Sequence, residues 1–209
     1  NDSMKSLDRL YSEEIGALVI TSDGTASETL PDRPLLLAGS FNPLHDGHRD
    51  MLAAASKIVS RPPFYEISIV NVDKPVLPRP ELERRAAPIT AGGSSLIVTS
   101  APRFTEKSSI LPGATFVIGF DTYIRLMDTQ YYPDHVAGAA SAVENSLDLI
   151  QENGCRFVVA GRVDDHSLFR GMSDIKVEIP ARFQGMFTEL SESQFRSDLS
   201  SSSIRDRSN

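Results

Sequence analysis

Short apolar runs alternate along the chain with longer stretches in which apolar residues recur every three or four positions. The short runs lie at 16–20, 35–39, 65–72, 94–100, 115–120, 155–161 and 175–180. Several are apolar at almost every position, which is typical of strands covered on both faces, as in parallel sheets. The pattern therefore predicts seven strands, most of them buried.

Helical periodicity fills three of the intervals. Residues 46–60 carry an amphipathic stripe with apolar side chains at i, i+1, i+4, i+7 and i+8. Residues 79–87 place Pro80 where a first helical turn accepts it, and residues 134–153 end before Gly154, which suits a helix C-terminus. Strands that alternate with helices predict an α/β fold, a mostly parallel sheet with helices on both faces.

A length of 209 residues fits one domain. Residues 21–34 are rich in Ser, Asp and Pro, which indicates a loop or a linker after a short hairpin. We therefore divide the chain into an N-terminal extension, 1–34, with a possible hairpin and linker, and a main domain, 35–209.

Composition narrows the classes of partner. The net charge is −7, which gives no sign of the basic face that binds nucleic acid through phosphates. No apolar run approaches the ~20 residues of a membrane helix. The one cysteine excludes an internal disulfide and fits a reducing compartment. We expect a cytoplasmic protein that binds neither nucleic acid nor membranes, and its oligomeric state stays open.

The stretch GSFNPLHDGHRDML, 39–52, joins the first firm strand to a helix that begins near Asp46. Ligands of open α/β sheets bind outside the carboxyl ends of the strands, and the free N–H groups of a helix N-terminus favour phosphate. Gly39 would allow a ligand close to the main chain, and His45 and His48 would face its negative charge. Two histidines at this spacing could instead be metal ligands, or merely solvated or capping residues.

Three segments resemble one known superfamily. GSFNPLHDGH is similar to the HxGH signature of nucleotidylyltransferases, and its opening GSFNP resembles nicotinamide or nicotinate mononucleotide adenylyltransferases. FVIGFDTYIRL, 116–126, is similar to the IGxD segment of the family, and LSSSSIR, 199–205, resembles ISSTxIR, with Ser202 where threonine is usual. The three motifs occur in the order that the family has them.

The resemblance implies a Rossmann-like nucleotidylyltransferase domain that acts in NAD biosynthesis. Such a protein would transfer AMP from ATP to nicotinamide or nicotinate mononucleotide and release pyrophosphate. Its catalytic residues would be His45 and His48, which hold the triphosphate, and Arg205, which pairs with the outer phosphates. Mg²⁺ would be bound through the nucleotide phosphates, with no ligand from protein side chains.

The resemblance also implies which residues bind the nucleotide. The backbone would contribute contacts from Gly39, Ser40 and Phe41, and hydroxyls would donate to the outer phosphates from Ser201 and Ser202. Gly119 and Asp121 would lie on either side of the adenosine, and Asp121 would accept hydrogen bonds from the ribose hydroxyls. Taken alone, Asp121 would be a helix cap and the serine run an N-cap cluster.

The residues that bind the acceptor are harder to assign, because the chain has no tryptophan to stack on a pyridine ring. Phe104, Tyr131 or Tyr132 could supply the aromatic face. Lys74 and Lys107, expected in loops at the ligand edge, could contact the acceptor's phosphate. Arg84 and Arg85 are expected on the solvated face of their helix.

Two alternatives remain beside adenylyl transfer. The first is a cytidylyltransferase that acts on a phosphorylated alcohol. The second is a non-catalytic nucleotide-binding module of a longer chain.

Overall fold

The computed structural model describes residues 2–128, 139–174 and 179–196. Its helices are α1 (Asp2–Tyr11), α2 (Asp46–Ile58), α3 (Arg79–Ala91), α4 (Phe104–Ile110), α5 (Phe120–Met127), α6 (Ala139–Glu152) and α7 (Ala181–Gln184). Its strands are β1 (Ala17–Ile20), β2 (Ala26–Ser27), β3 (Leu35–Ala38), β4 (Pro63–Ser68), β5 (Leu96–Thr99), β6 (Thr115–Gly119), β7 (Arg156–Ala160), β8 (Arg162–Val163), β9 (Phe169–Arg170) and β10 (Phe187–Leu190). A 3-10 turn covers Met172–Asp174.

The main sheet has eight strands in the order β10-β7-β6-β3-β4-β5-β1-β2, and β8 pairs separately with β9. The six strands from β10 to β5 are parallel. From β3 the chain moves outward through β4 to β5, then returns to place β6 on the other side of β3. The strand order therefore reverses between β3 and β6, and such a switch point is where α/β sheets bind ligands. The predicted α/β, Rossmann-like class is confirmed.

Side chains alternate across the sheet, so each strand contributes to two cores. In β3, Leu35 and Leu37 face one core and Leu36 faces the other. The first core also contains side chains from α1, α2 and α3, whereas the second contains side chains from α4, α5, α6 and α7. Apolar residues on both faces explain why the strands lack a polar–apolar alternation.

Residues 2–34 pack as part of the same domain, so the division proposed after residue 34 does not coincide with a gap in the packing. β1 pairs along its whole length with β5 and pairs antiparallel with β2 on its other edge. Leu10 of α1 and Leu18 of β1 are fully buried in the first core. The sequence analysis assigned no helix to α1.

The sixth parallel strand is not the one predicted. Residues 175–178 of the expected strand 175–180 lie outside the described residues, and 179–180 form no strand. The edge position beside β7 is occupied by β10, whose two central residues are exposed and whose ends are buried.

Among the helices of the described residues, none has the length and apolar character of a membrane-spanning segment.

Candidate active site

Two glycines mark the switch point, because Gly39 directly follows β3 and Gly119 ends β6. A Cβ at Gly39 would lie 2.9 Å from Cζ of Phe41, so the loop itself requires glycine there. A Cβ at Gly119 would meet only Cε of Met51, at 4.0 Å. The crevice is therefore open above Gly119, whereas Gly39 is covered by an aromatic ring.

Phe41 anchors the loop between β3 and α2. Its backbone lies in the left-handed region, with φ of 48°, which is uncommon outside glycine. Its ring is 2% exposed and lies edge-on to His48 and Tyr65, with centroid separations of 5.0 and 5.2 Å. The side chain of Phe41 is thus a core group, and only its backbone remains for the contact predicted from the sequence.

His45 and His48 lie together at the start of α2, as expected from the sequence. His45 is the N-cap, and its backbone N–H donates to Nδ1 of His48 over 3.1 Å. An imidazole that accepts at Nδ1 carries its proton at Nε2 when it is neutral. The rings stack with centroids 3.7 Å apart. His48 is thereby fixed as a donor through Nε2–H.

The surroundings of both imidazoles favour the neutral form in the ligand-free protein. Burial, the neighbouring His45 and Arg49 lower the pKa of His48 to about 3. Burial and Arg49 also lower the pKa of His45, against a smaller opposing effect of Asp46. The pair therefore faces a ligand as hydrogen-bonding groups rather than as two fixed cations.

The depressed pKa of His48 predicts a pH dependence of stability. The unfolded chain takes up this proton near pH 6.5, whereas the folded chain does so only near pH 3. The unfolded state binds more protons in between, so the free energy of unfolding falls as the pH drops from 6.5 towards 3. We expect His48→Gln to lose less stability than the wild type between pH 6.5 and 4.5 in urea titrations. Parallel profiles of stability against pH in the wild type and His48→Gln would contradict this prediction. The control variant is His166→Gln, which replaces an exposed histidine.

Asp121 lies in the first turn of α5, but Gly119 is the N-cap of that helix. The carboxylate of Asp121 is mostly exposed, and its Oδ1 lies 3.2 Å from Nε of Arg162. Arg162 begins β8, two residues beyond the end of β7. An acidic and a basic side chain thus meet outside the carboxyl ends of β6 and β7. The sequence analysis missed Arg162, although it follows the buried run FVVAG directly.

The expectation that Lys107 contacts the acceptor from a loop is wrong. Lys107 lies on α4, is 6% exposed, and places Nζ 2.6 Å from Oε1 of Glu66. The same Oε1 accepts from Oγ1 of Thr99 over 2.8 Å. The cation is occupied by a buried carboxylate in the interior and cannot serve a phosphate in the crevice.

The stacking role expected for Phe104 is likewise wrong. Phe104 begins α4, and its ring lies edge-on to Phe116 and Phe157, at centroid separations of 5.1 and 5.5 Å. Both partners are second residues of their strands, far from the carboxyl edge, and all three belong to the second core. Phe104 therefore packs the sheet against α4.

Phe104→Ala should accordingly reduce stability and leave ligand binding intact. We expect a loss of about 2 kcal/mol in the free energy of unfolding, below the ~3–5 kcal/mol typical of a fully buried phenylalanine. Urea denaturation measures the loss, and nucleotide-induced thermal shifts should match the wild type. A weaker acceptor affinity with unchanged stability would restore the stacking role.

The remaining candidates divide into two groups. Lys74 is exposed in the loop between β4 and α3, so it stays a candidate for the acceptor's phosphate. Five others lie outside the described residues: Tyr131, Tyr132, Ser201, Ser202 and Arg205. Across residues 2–128, 139–174 and 179–196, no three His, Cys, Asp or Glu side chains form a metal-binding group.

Arg84 lies on the solvated face of α3, as expected, with a side chain that is 56% exposed, whereas the same expectation is wrong for Arg85. Arg84 donates from Nη2 to Oδ1 of Asn42 over 2.7 Å. Arg85 is only 17% exposed in its side chain and reaches the carbonyl oxygen of Ser40 with Nη1, over 3.5 Å. Both arginines thus contact the GSFNP loop.

Fold and site together define an α/β protein with a paired-histidine helix start beside the switch point between β3 and β6. The family model described as Cytidylyltransferase-like matches residues 36–207, and the chain belongs to this family of the nucleotidylyltransferase superfamily. Its activity is accordingly that of a nucleotidyltransferase. A comparison with curated protein sequences found no significant match.

Proposed function

We propose that this nucleotidyltransferase transfers AMP from ATP to nicotinamide or nicotinate mononucleotide and releases pyrophosphate. The observation that carries the proposal is the stacked His45–His48 pair at the start of α2, beside the switch point. The GSFNP opening of the same loop supports the mononucleotide acceptor by resemblance.

In this reaction an oxygen of the acceptor's phosphate attacks the α-phosphorus. The bond from that phosphorus to the oxygen that bridges it to the β-phosphate breaks, and the electron pair leaves with pyrophosphate. Catalysis is mostly positioning and charge stabilisation, because little covalent chemistry is required of the protein. The Nε2–H of His48 donates to the oxygens on which negative charge grows.

His45 supports the proposal through its position. It is the N-cap of α2, and its ring stacks on that of His48. Its Nδ1 is buried from solvent, so this nitrogen is not the atom that would contact a ligand. The place of His45 at a helix N-terminus, where phosphate is favoured, supports a role in holding the triphosphate.

Mg²⁺ belongs to the proposal as a companion of the triphosphate. The start of α2 carries backbone N–H donors, two imidazoles and the carboxylate of Asp46, which already accepts from Arg49 over 2.9 Å, whereas Mg²⁺ prefers several oxygen ligands. The ion would therefore be held by phosphate oxygens and water, and it would neutralise part of the phosphate charge.

Asp121 is proposed to accept hydrogen bonds from the ribose hydroxyls in the space above Gly119. We expect Asp121→Asn to weaken nucleotide binding by about 1–3 kcal/mol, as for a lost charge-assisted bond. The melting temperature without ligand should change little, because an exposed ion pair such as Asp121–Arg162 contributes little to stability. Isothermal titration with ATP measures the loss. Unchanged affinity together with a much lower melting temperature would mean that Asp121 is structural.

Cytidylyl transfer to a phosphorylated alcohol is the second candidate, favoured by the description of the matching family. Melting curves with ATP or CTP and Mg²⁺ separate the two, because a ligand that binds the native state raises its melting temperature. We expect the larger rise with ATP. A larger rise with CTP would overturn adenylyl specificity, and ATP binding without pyrophosphate release across a panel of phosphorylated acceptors would indicate the non-catalytic module.

A further inference from the structure

Three residues in the first two turns of α3 form a connected group beside the GSFNP loop. We call this group the α3 brace, and it consists of Glu81, Arg84 and Arg85. Glu81 accepts from Nε of Arg84 over 3.0 Å and from Nε of Arg85 over 2.8 Å. Each arginine then reaches the loop with another nitrogen, Arg84 at Asn42 and Arg85 at the carbonyl of Ser40. The brace thus connects α3 to two residues of GSFNP.

The bond to Ser40 has a consequence for the neighbouring N–H group. The carbonyl of Ser40 and the N–H of Phe41 belong to one planar trans peptide, so they point in opposite directions. An arginine that holds the carbonyl towards α3 therefore turns the N–H of Phe41 away from α3. This N–H is one of the backbone donors assigned to the nucleotide.

The loop needs support from outside because of its backbone conformation. Phe41 has φ of 48°, and the left-handed region is unfavourable for a residue other than glycine. The ring of Phe41 is held on one side by His48 and Tyr65. The α3 brace contacts Ser40 and Asn42, the residues immediately before and after Phe41, so it restrains the loop at the two positions that flank Phe41.

The brace is partly buried. The side chain of Arg85 is 17% exposed and that of Glu81 is 29% exposed, whereas that of Arg84 is 56% exposed. The hydrogen bonds from Arg84 and Arg85 lower the pKa of Glu81 to about 2, so its carboxylate stays charged well into the acid range. The two oxygens of the Glu81 carboxylate accept from two planar guanidinium groups, and these bonds fix the orientation of both arginine side chains.

We propose that Glu81, Arg84 and Arg85 are positioning residues, which hold the loop 39–43 in the shape that presents its backbone donors to the triphosphate. The proposal deepens, and rests on, the function proposed for this site. Donors that are held in place before the reaction need no reorganisation when charge develops, which is how such a brace would act on catalysis.

Glu81→Gln is the most selective test, because Glu81 makes no hydrogen bond to the loop among the described contacts and acts through the arginines. Hydrogen–deuterium exchange is measured on the ligand-free protein at two amides beside the loop that are already hydrogen-bonded, Gly39 to the carbonyl of Glu66 and His45 to Nδ1 of His48. We expect at least fivefold faster exchange at both amides in the variant, with an unchanged melting temperature. The matched control is Glu144→Gln, which also removes one carboxylate partner of a partly exposed arginine, Arg182, and leaves it paired with Asp148. Both amides should exchange in this control as in the wild type.

Steady-state kinetics give the second measurement. We expect Glu81→Gln and Arg85→Lys each to lower kcat about tenfold, with KM for the acceptor within twofold of the wild type. Lysine keeps the charge but cannot bond Glu81 and Ser40 as a fork, so full activity in Arg85→Lys would overturn the positioning role. Unchanged amide exchange in Glu81→Gln would overturn it as well, whether or not activity falls. The exchange measurement needs no substrate, so it decides this proposal even if the wild type transfers no nucleotide.

Discussion

His48→Ala is expected to lower turnover by roughly 10²–10³-fold, the range seen when one preorganised donor to developing charge is removed. The reason lies in the fixed tautomer of His48. Its Nδ1 is occupied by the backbone N–H of His45, so Nε2–H is the group that can meet a phosphate oxygen. Interactions that strengthen as charge gathers on the leaving pyrophosphate lower the barrier without tightening the ground state.

The fold should survive this change. Alanine removes one hydrogen bond at the start of α2, worth about 1 kcal/mol, and the edge contact of His48 with Phe41. His45→Ala should lower turnover similarly, with a larger effect on ATP binding, whereas His166→Ala, at an exposed position, should match the wild type. Wild-type turnover in a folded His48→Ala protein would refute the role. So would a transition metal, held by the pair and removable with a chelator.

Lys107→Ala is expected to reduce the free energy of unfolding by about 3–5 kcal/mol, the cost of breaking a buried ion pair at one partner. Glu66 is 1% exposed, and its Oε2 already has no hydrogen-bond partner among the described residues. Removing the cation would leave this carboxylate in the core with only the hydroxyl of Thr99 at Oε1. Urea denaturation at pH 7 measures the loss.

The double variant Glu66→Leu/Lys107→Met is the matched control. Replacing both charges by apolar groups of similar size is often nearly neutral, so the double variant should be clearly more stable than Lys107→Ala alone. A loss below 1 kcal/mol in Lys107→Ala, with a raised KM for the acceptor, would contradict the buried pair. That outcome would mean that Lys107 contacts the acceptor in the crevice.

The sheet was predictable because its strands are apolar on both faces. Runs such as LLLAG and FVVAG are recognisable without any partner, and their order with the helices predicts the class. The strand β10 was not recognisable, because it lies at an edge and its two central residues, Thr188 and Glu189, are exposed. The helix α1 was missed because its sequence was treated as part of an extension.

In the candidate site, too, residues with a local sequence signal could be placed, whereas residues that depend on distant partners could not. His45 and His48 could be placed because a strand end, a helix start and a motif coincide within ten residues. The environment of Lys107 could not be predicted, because its partner Glu66 lies 41 positions away. Phe104 and Arg85 were misjudged for the same reason, because long-range contacts decide whether such a side chain is buried or exposed.

The transfer of label from ATP to a mononucleotide tests the central claim most directly. The protein is incubated with Mg²⁺, nicotinamide or nicotinate mononucleotide, and either ATP labelled at the α- or the γ-phosphate or, in a parallel reaction, CTP labelled at the α-phosphate. The account predicts that the α-label appears in a dinucleotide and the γ-label in pyrophosphate, and that His48→Ala forms both products at least 100-fold more slowly. Label from α-labelled CTP in the product, with none from ATP, would contradict adenylyl transfer, as would dinucleotide formation at an undiminished rate in His48→Ala.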